Sequence, residues 1–255
     1  MTVLLVDIGN SRIKWAQLAN GRLGERHAAA HARWRARDYA RLFRGARVEH
    51  AWVSSVAGPA ARRALAAAAR RAGVRSHFVV VSRGAGGVRV GYVEPWRLGV
   101  DRFVAAVGAH ELFKGVPLCV VGVGTAMTID LIDAKGRHRG GVITPAPTLM
   151  VDTLLAETSG IRRRARGGRA GGRGLFGRST RDGVVQGSRY AAAALIDRAV
   201  EEAALAVGRK PLVIITGGGA GAVRPLIRSA GVGVPDLVLR GLAVLAQGRG
   251  PAPRP

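Results

Sequence analysis

The chain has 255 residues, 48% of them hydrophobic, and a formal charge of +24 from 40 Lys+Arg against 16 Asp+Glu. That apolar share excludes a wholly disordered basic protein, and no stretch approaches the ~20 apolar residues that cross a bilayer. Cys119 is the single cysteine, which excludes an intrachain disulfide and a cysteine metal cluster, and a cytoplasmic protein is expected. Only Lys14, Lys114, Lys135 and Lys210 are lysines. The arginines are mostly scattered singly among Ala and Gly, which reads as compositional drift rather than a nucleic-acid footprint.

Thr2–Ile8 is an apolar run suited to a buried strand. Ile13, Trp15 and Leu18 alternate toward a second strand, and Asn20-Gly21 supplies a tight turn. A strand is predicted over 51–56, and Pro59 then opens an Ala/Arg-rich helix that Gly73 closes. A strand over 78–82 and a helix over 101–114 follow, the helix apolar along Phe103, Val104, Val107 and Leu112. After Gly115-Val116-Pro117, strands are predicted at Leu118–Val123, 127–132 and 138–143, with a short helix over 149–156. Residues 161–178 hold seven arginines and six glycines and read as a mobile surface loop. A helix over Thr180–Val207 ends at Gly208, and a strand over 212–215 enters Thr216-Gly217-Gly218-Gly219. Helices over 224–230 and 238–247 complete the chain.

Asp7-Ile8-Gly9-Asn10-Ser11 and Gly122-Val123-Gly124-Thr125-Ala126 both lie between a buried strand and a returning strand. This repeat predicts two similar α/β halves, 1–115 and 116–255. A hairpin turn with Gly and a small polar side chain brings backbone N–H groups close to phosphate oxygens. Asn10, Ser11 and Thr125 are candidate donors, Lys14 reaches toward a terminal phosphate, and Asp7 suits Mg²⁺ directly or through water. Two such turns facing each other would clamp a triphosphate. The Thr216–Gly219 loop before a helix suits a ribose, a base or a phosphate. There is no GxxxxGK[ST] and no GxGxxG opening a helix after the first strand; the six histidines lack metal-ligand spacing, and Ser54 and Ser55 lack a hydrolase elbow. Asp101 reads either as a helix N-cap or as a carboxylate that orients and deprotonates an attacking hydroxyl, with Arg102 beside it for an anionic substrate.

Seven pieces, in order along almost the whole chain, resemble the type III pantothenate kinase family of the actin, sugar-kinase and acetate-kinase ATPase superfamily. They are Asp7-Ile8-Gly9-Asn10-Ser11 with Lys14, Ser54-Ser55-Val56, Tyr92 leading to Leu98-Gly99-Val100-Asp101-Arg102, and Gly124-Thr125-Ala126-Met127-Thr128-Ile129-Asp130. Gly140-Gly141-Val142-Ile143-Thr144-Pro145, Ser179-Thr180-Arg181-Asp182 with Gly187, and Thr216-Gly217-Gly218 complete the set.

The resemblance implies an α/β fold of two similar ribonuclease-H-like domains, with mixed sheets flanked by helices and an interdomain cleft. It implies ATP-dependent phosphorylation of pantothenate to 4′-phosphopantothenate, the first step of coenzyme A synthesis, by a cytoplasmic homodimer with no expected nucleic-acid or membrane partner. Asp101 would be the base; Tyr92, Gly99, Arg102 and Thr180 would hold pantothenate. Asp7, Gly9, Asn10, Ser11, Lys14, Gly124 and Thr125 would surround the phosphates and Mg²⁺. Two departures stand out. Gly122 replaces an Asp that the family links to K⁺ or NH₄⁺, so that cation is expected to be weakly bound, relocated or unnecessary. Ala146 replaces a Gly after Pro145, which puts the local turn at issue. The rival readings are a non-catalytic regulatory or nucleic-acid-binding protein on the same scaffold, and a kinase for another hydroxylated acid.

Overall fold

The computed structural model describes residues 2–45, 48–167, 171–172 and 174–248. The chain forms two compact units: Met1–Val116 with Ile132–Gly140 and the segment from Asp236 onward, and Pro117–Leu131 with Gly141–Pro235.

The first unit opens with β1 (Thr2–Ile8), β2 (Arg12–Ala19) and β3 (Arg22–Ala30). Asn20 at φ 50° and Gly21 at φ 74° make the two-residue turn between β2 and β3, the left-handed pair that a twisted hairpin needs. β3 carries no apolar alternation because it is an exposed edge, and its charges blunt that edge against further pairing. Then come α1 (Ala36–Arg41), β4 (His50–Ser55), α2 (Pro59–Arg71) and β5 (Arg75–Phe78). Pro59 starts α2 and Gly73, at φ 71°, follows its end. The strand expected over 78–82 therefore sits earlier, ending at Phe78, where β5 is parallel to β4.

A small ribbon, β6 (Gly84–Ala85) and β7 (Val88–Arg89), and a 3-10 turn at Pro95–Arg97 lead into α3 (Val100–Leu112). The sheet order is β3-β2-β1-β4-β5, with β1 antiparallel to β2 and parallel to β4. Alternation along the strands sends Leu4, Val6, Ile8, Ile13, Ala51 and Val53 into a core shared with Leu65, Ala68 and Ala69 of α2. Asp7 falls on the opposite face by the same period of two.

The second unit contains β8 (Leu118–Val123), most of β9 (Ala126–Ile132) and most of β10 (His138–Pro145). α4 (Pro147–Glu157), α5 (Ser159–Ala165), α6 (Thr180–Val207), β11 (Leu212–Thr216), α7 (Ala220–Val223) and β12 (Gly231–Gly233) follow. The sheet order, β10-β9-β8-β11-β12, repeats that of the first unit in chain sequence. Val121, Val123, Met127, Ile129, Val213 and Ile215 pack with Ala192, Ala193, Ile196 and Val200 of α6. Ser179 Oγ accepts the Asp182 N–H at 3.1 Å to cap α6, and Gly208 closes it at φ 75°.

Two expectations change here. Residues 161–165 are helical rather than loop: arginine and alanine are good helix formers, Arg162, Arg163 and Arg164 lie in the last turn where cations are favoured, and Ala165 is buried. Residues 168–170 and 173 of that segment lie outside the described residues. Over 224–230 only Arg224–Leu226 forms a 3-10 turn, because Pro225 removes a backbone donor and the chain then runs toward β12. The last helix, α8 (Leu237–Ala246), returns to the first unit and packs on α3, β1 and β4. Among the described residues, no helix is long and apolar enough to cross a membrane.

Candidate active site

Asp7 lies near the C-terminal end of β1, directly across the sheet from Lys14 on β2 and in parallel register with Ser54 on β4. Asp7 Oδ1, Ser54 Oγ and Ser55 Oγ are shut off from solvent and make no hydrogen bond. Burial pushes the Asp7 carboxyl up to about 7, with Asp101 and Asp236 acting in the same direction and the Lys14 ammonium pulling it back. Lys14 Nζ stands 3.3 Å from Asp236 Oδ1, and Arg26 Nε is 3.7 Å from Asp236 Oδ2.

Beyond Asp7 the chain turns through Gly9, whose N–H donates to Arg12 O at 3.0 Å, leaving Asn10 and Ser11 exposed at the tip. His31 Nε2 is 2.6 Å from Gly9 O and braces this turn from the end of β3. A Cβ on Gly9 would meet Arg12 O at 3.2 Å, so the tight turn favours glycine.

Asp101 is not the N-cap of α3. Gly99 holds that place, and Asp101 lies in the first helical turn, where its Oδ1 accepts the Arg102 N–H at 2.9 Å. A Cβ on Gly99 would lie 2.8 Å from Asp101 Oδ1, so the glycine leaves room for the carboxylate to fold back. A helix start favours negative charge there. Arg102 is buried; its Nη1 donates to Tyr92 Oη at 3.3 Å, and its guanidinium carbon is 5.9 Å from the Tyr92 ring centre. Tyr92 also meets His138, ring centres 5.4 Å apart. The first unit thus brings together Asp7, Lys14 and Asp101, with the Tyr92–Arg102 pair beginning one residue from Asp101.

In the second unit, the Gly124 N–H donates to Ala126 O at 2.9 Å, and Thr125 is exposed at the turn. Thr125 O accepts the Ala146 N–H at 3.2 Å. Ala146 is buried with φ −72°, so this turn does not require the family's glycine. Gly122 lies in register with Thr216, and a Cβ on it would stand 3.0 Å from Thr128 Oγ1. Gly217, at φ 98°, would carry a Cβ only 2.3 Å from Val123 O, so glycine is needed there. Thr180 opens α6, on a different element from Thr125. Asp182 Oδ1 accepts N–H groups of Gly171 and Gly172 at 3.3 and 3.2 Å; these backbone bonds hold its carboxyl below the usual range.

Sequence reasoning did not single out His31 or Asp236, and it named Asp182 only within the Ser179–Asp182 piece, without a role. Pro235-Asp236 before an apolar run carried a signal, but one that reads as a helix cap. Cys119 is buried, and burial pushes its thiol up to about 12, so it is inert at neutral pH.

The profile of the type III pantothenate kinase family matches residues 3–202. A type III pantothenate kinase of Stenotrophomonas maltophilia strain R551-3 is 39% identical over 244 residues, covering 95% of this chain and 96% of that one. Among solved structures, a Campylobacter jejuni protein described as a Baf-family transcriptional activator superposes with TM-score 0.57 at 18% identity, covering 96% of this chain and 98% of that one. The activator of the 2-hydroxyisocaproyl-CoA dehydratase from Clostridium difficile, solved with ADPNP, gives TM-score 0.53 at 14% identity over 96% and 93% of the two chains. At such identities the structural likeness speaks to the fold alone, two five-stranded mixed sheets flanked by helices. The chain belongs to the type III pantothenate kinase family.

Proposed function

We infer that the chain transfers the γ-phosphoryl group of ATP to the hydroxyl of pantothenate, giving 4′-phosphopantothenate for coenzyme A synthesis, with Asp101 as the base. The observation that carries this assignment is the grouping in the first unit: a first-turn carboxylate beside an arginine oriented by Tyr92, near the cross-strand pair of the Asp7 carboxyl and the Lys14 ammonium. Phosphoryl transfer asks the protein mainly for positioning and for charge stabilisation. Asp101 would orient and deprotonate the attacking hydroxyl. Tyr92, Gly99, Arg102 and Thr180 would hold pantothenate, the guanidinium of Arg102 answering its negative charge. Lys14 and the turn residues Gly9, Asn10, Ser11, Gly124 and Thr125 would bind the phosphates.

A divalent cation accompanies ATP in such kinases, and Mg²⁺ binds through one or two carboxylates with water and phosphate oxygens completing its shell. Asp7 suits that requirement, because its buried Oδ1 has no other partner. When bound, Mg²⁺ would neutralise phosphate charge. Among the described residues, no group of three or more His, Cys, Asp or Glu could hold a metal alone, which fits a site that shares its ion with the nucleotide. Gly122 offers no carboxylate for a monovalent cation, so we take transfer to proceed without a dedicated K⁺ or NH₄⁺ ligand at that position.

A cytoplasmic homodimer completes the reading. Val142 and Ile143 on β10 and Leu154 on α4 are exposed apolar side chains of the kind a second copy covers. The test is ATP-dependent phosphate transfer to pantothenate beside a panel of other hydroxy acids. Transfer to pantothenate is expected. Transfer only to another acid would move the substrate assignment, and no transfer to any acid would favour a non-catalytic role on this scaffold.

A further inference from the structure

We propose that Asp236 is a positioning residue for phosphoryl transfer, its carboxylate holding the Lys14 ammonium where it meets the terminal phosphate of ATP. The proposal rests on the phosphate role given to Lys14 above.

Asp236 stands immediately before α8, a place where aspartate is favoured because its side chain caps the helix. Here it makes no capping bond. Its backbone is left-handed, φ 54° and ψ 38°; among the described residues, Asn20 is the only other non-glycine with positive φ, and Asn20 sits in a turn that demands it. Glycine suits such a backbone better than aspartate. The carboxylate is committed instead to Lys14 at 3.3 Å, while Arg26 lies 3.7 Å from its other oxygen.

Stability does not account for this arrangement. The Lys14 and Asp236 side chains retain 24% and 20% exposure, and an ion pair so open to water contributes little to folding. The location does account for it. A Cβ on Gly241 would lie 1.9 Å from Val104 O, and one on Gly108 would lie 2.6 Å from Leu237 O. These close approaches seat the start of α8 firmly on α3, the helix that carries Asp101. α8 also packs on β1, which carries Asp7. Asp236 is thereby fixed with respect to both carboxylates of the candidate site. Lysine is a point charge on a flexible four-carbon stem, and its reach is useful only when its direction is set in advance. The cross-strand Asp7 and the anchored Asp236 set that direction from two sides, and Arg26 steadies Asp236.

Two substitutions separate this role from a backbone role. Asp236→Asn keeps a short polar side chain tolerant of the left-handed region and removes the charge; Asp236→Gly relieves the backbone altogether. Both should unfold at or above the wild-type temperature. Both should lower kcat/KM for ATP by roughly 10- to 100-fold while leaving KM for pantothenate within about twofold. Calorimetry with Mg²⁺ and AMPPNP should show the same weakening without depending on turnover. Lys14→Met combined with Asp236→Asn should be no worse than Lys14→Met alone, because the two side chains act as one unit. Wild-type ATP kinetics and AMPPNP affinity in both Asp236 variants, beside a damaged Lys14→Met, would overturn the proposal alone. Multiplying losses in the double variant would overturn it too. A Lys14→Met enzyme with unchanged nucleotide binding and kinetics would remove the phosphate role of Lys14 and the proposal with it.

Discussion

Asp7 on β1 and Gly122 on β8 occupy the same place in the two half-sheets. Each lies two residues before the glycine of a hairpin turn, and each is in parallel register with a hydroxyl residue, Ser54 or Thr216. The backbone donors of the turn are therefore built twice, at Gly9 and at Gly124. The charge is built once. Asp7 faces Lys14 across the strand pair, whereas Gly122 has no side chain and only a tight space, with Thr128 Oγ1 3.0 Å from where a Cβ would begin. The repeated fold builds the same turn twice, and single side chains decide which copy carries the charge proposed to meet phosphate.

Three measurements can break or sharpen this contrast. The largest effect is expected at the proposed base, Asp101, which belongs to the first unit alone. Asp101→Asn should lower kcat by roughly 10³-fold or more and keep KM for ATP within about twofold. Turnover near the wild-type rate would take the base role away from Asp101.

The next effect is on stability. The folded Asp7 carboxyl titrates at about 7 against an unfolded value of 3.8, so the native state prefers it protonated. Its favourable contribution is complete below the unfolded value and is lost as pH rises through about 7. In ligand-free protein, Asp7→Asn does not titrate. Its stability advantage over the wild type should therefore grow between pH 4 and pH 7, to something of the order of 2 kcal/mol at pH 8. Denaturant unfolding at pH 5 and pH 8 reads this directly, and an advantage independent of pH would count against a carboxyl held neutral by burial.

The smallest effect belongs to the uncharged turn. Replacing K⁺ in the assay with a bulky tetraalkylammonium ion should change kcat by less than about twofold, since Gly122 supplies no carboxylate. A strict K⁺ or NH₄⁺ requirement would show that another group has taken over that place in the second unit.

Much of the candidate site could be read along the chain because its pieces are short and local. Asp7 to Lys14 is one hairpin, Gly99 to Arg102 one helix start, and Gly122 to Ala126 one turn. Elements bounded by Gly or Pro, such as α2 and α6, were equally legible, because those residues act on their own backbone. What escaped had no hydrophobic pattern of its own. β3 shows no apolar alternation and exists because Asn20-Gly21 returns the chain beside β2. α5 looked like loop because its arginines and glycines suggested nothing to bury, yet Ala165 is buried. Asp101 reads as a cap or as a base from its neighbours alone; in the fold Gly99 holds the cap position.

The sequence by itself determined the family and the strand–turn–strand repeat, and it nominated the residues proposed for phosphate and substrate, since each rests on neighbours a few positions apart. Only the tertiary structure decided that Asp7 is enclosed and that α8 returns to the first unit. It also decided that Asp236, more than two hundred residues from Lys14, holds that lysine's charge. Burial and long-range ion pairing depend on which distant segments the packing brings together, and no local pattern encodes that.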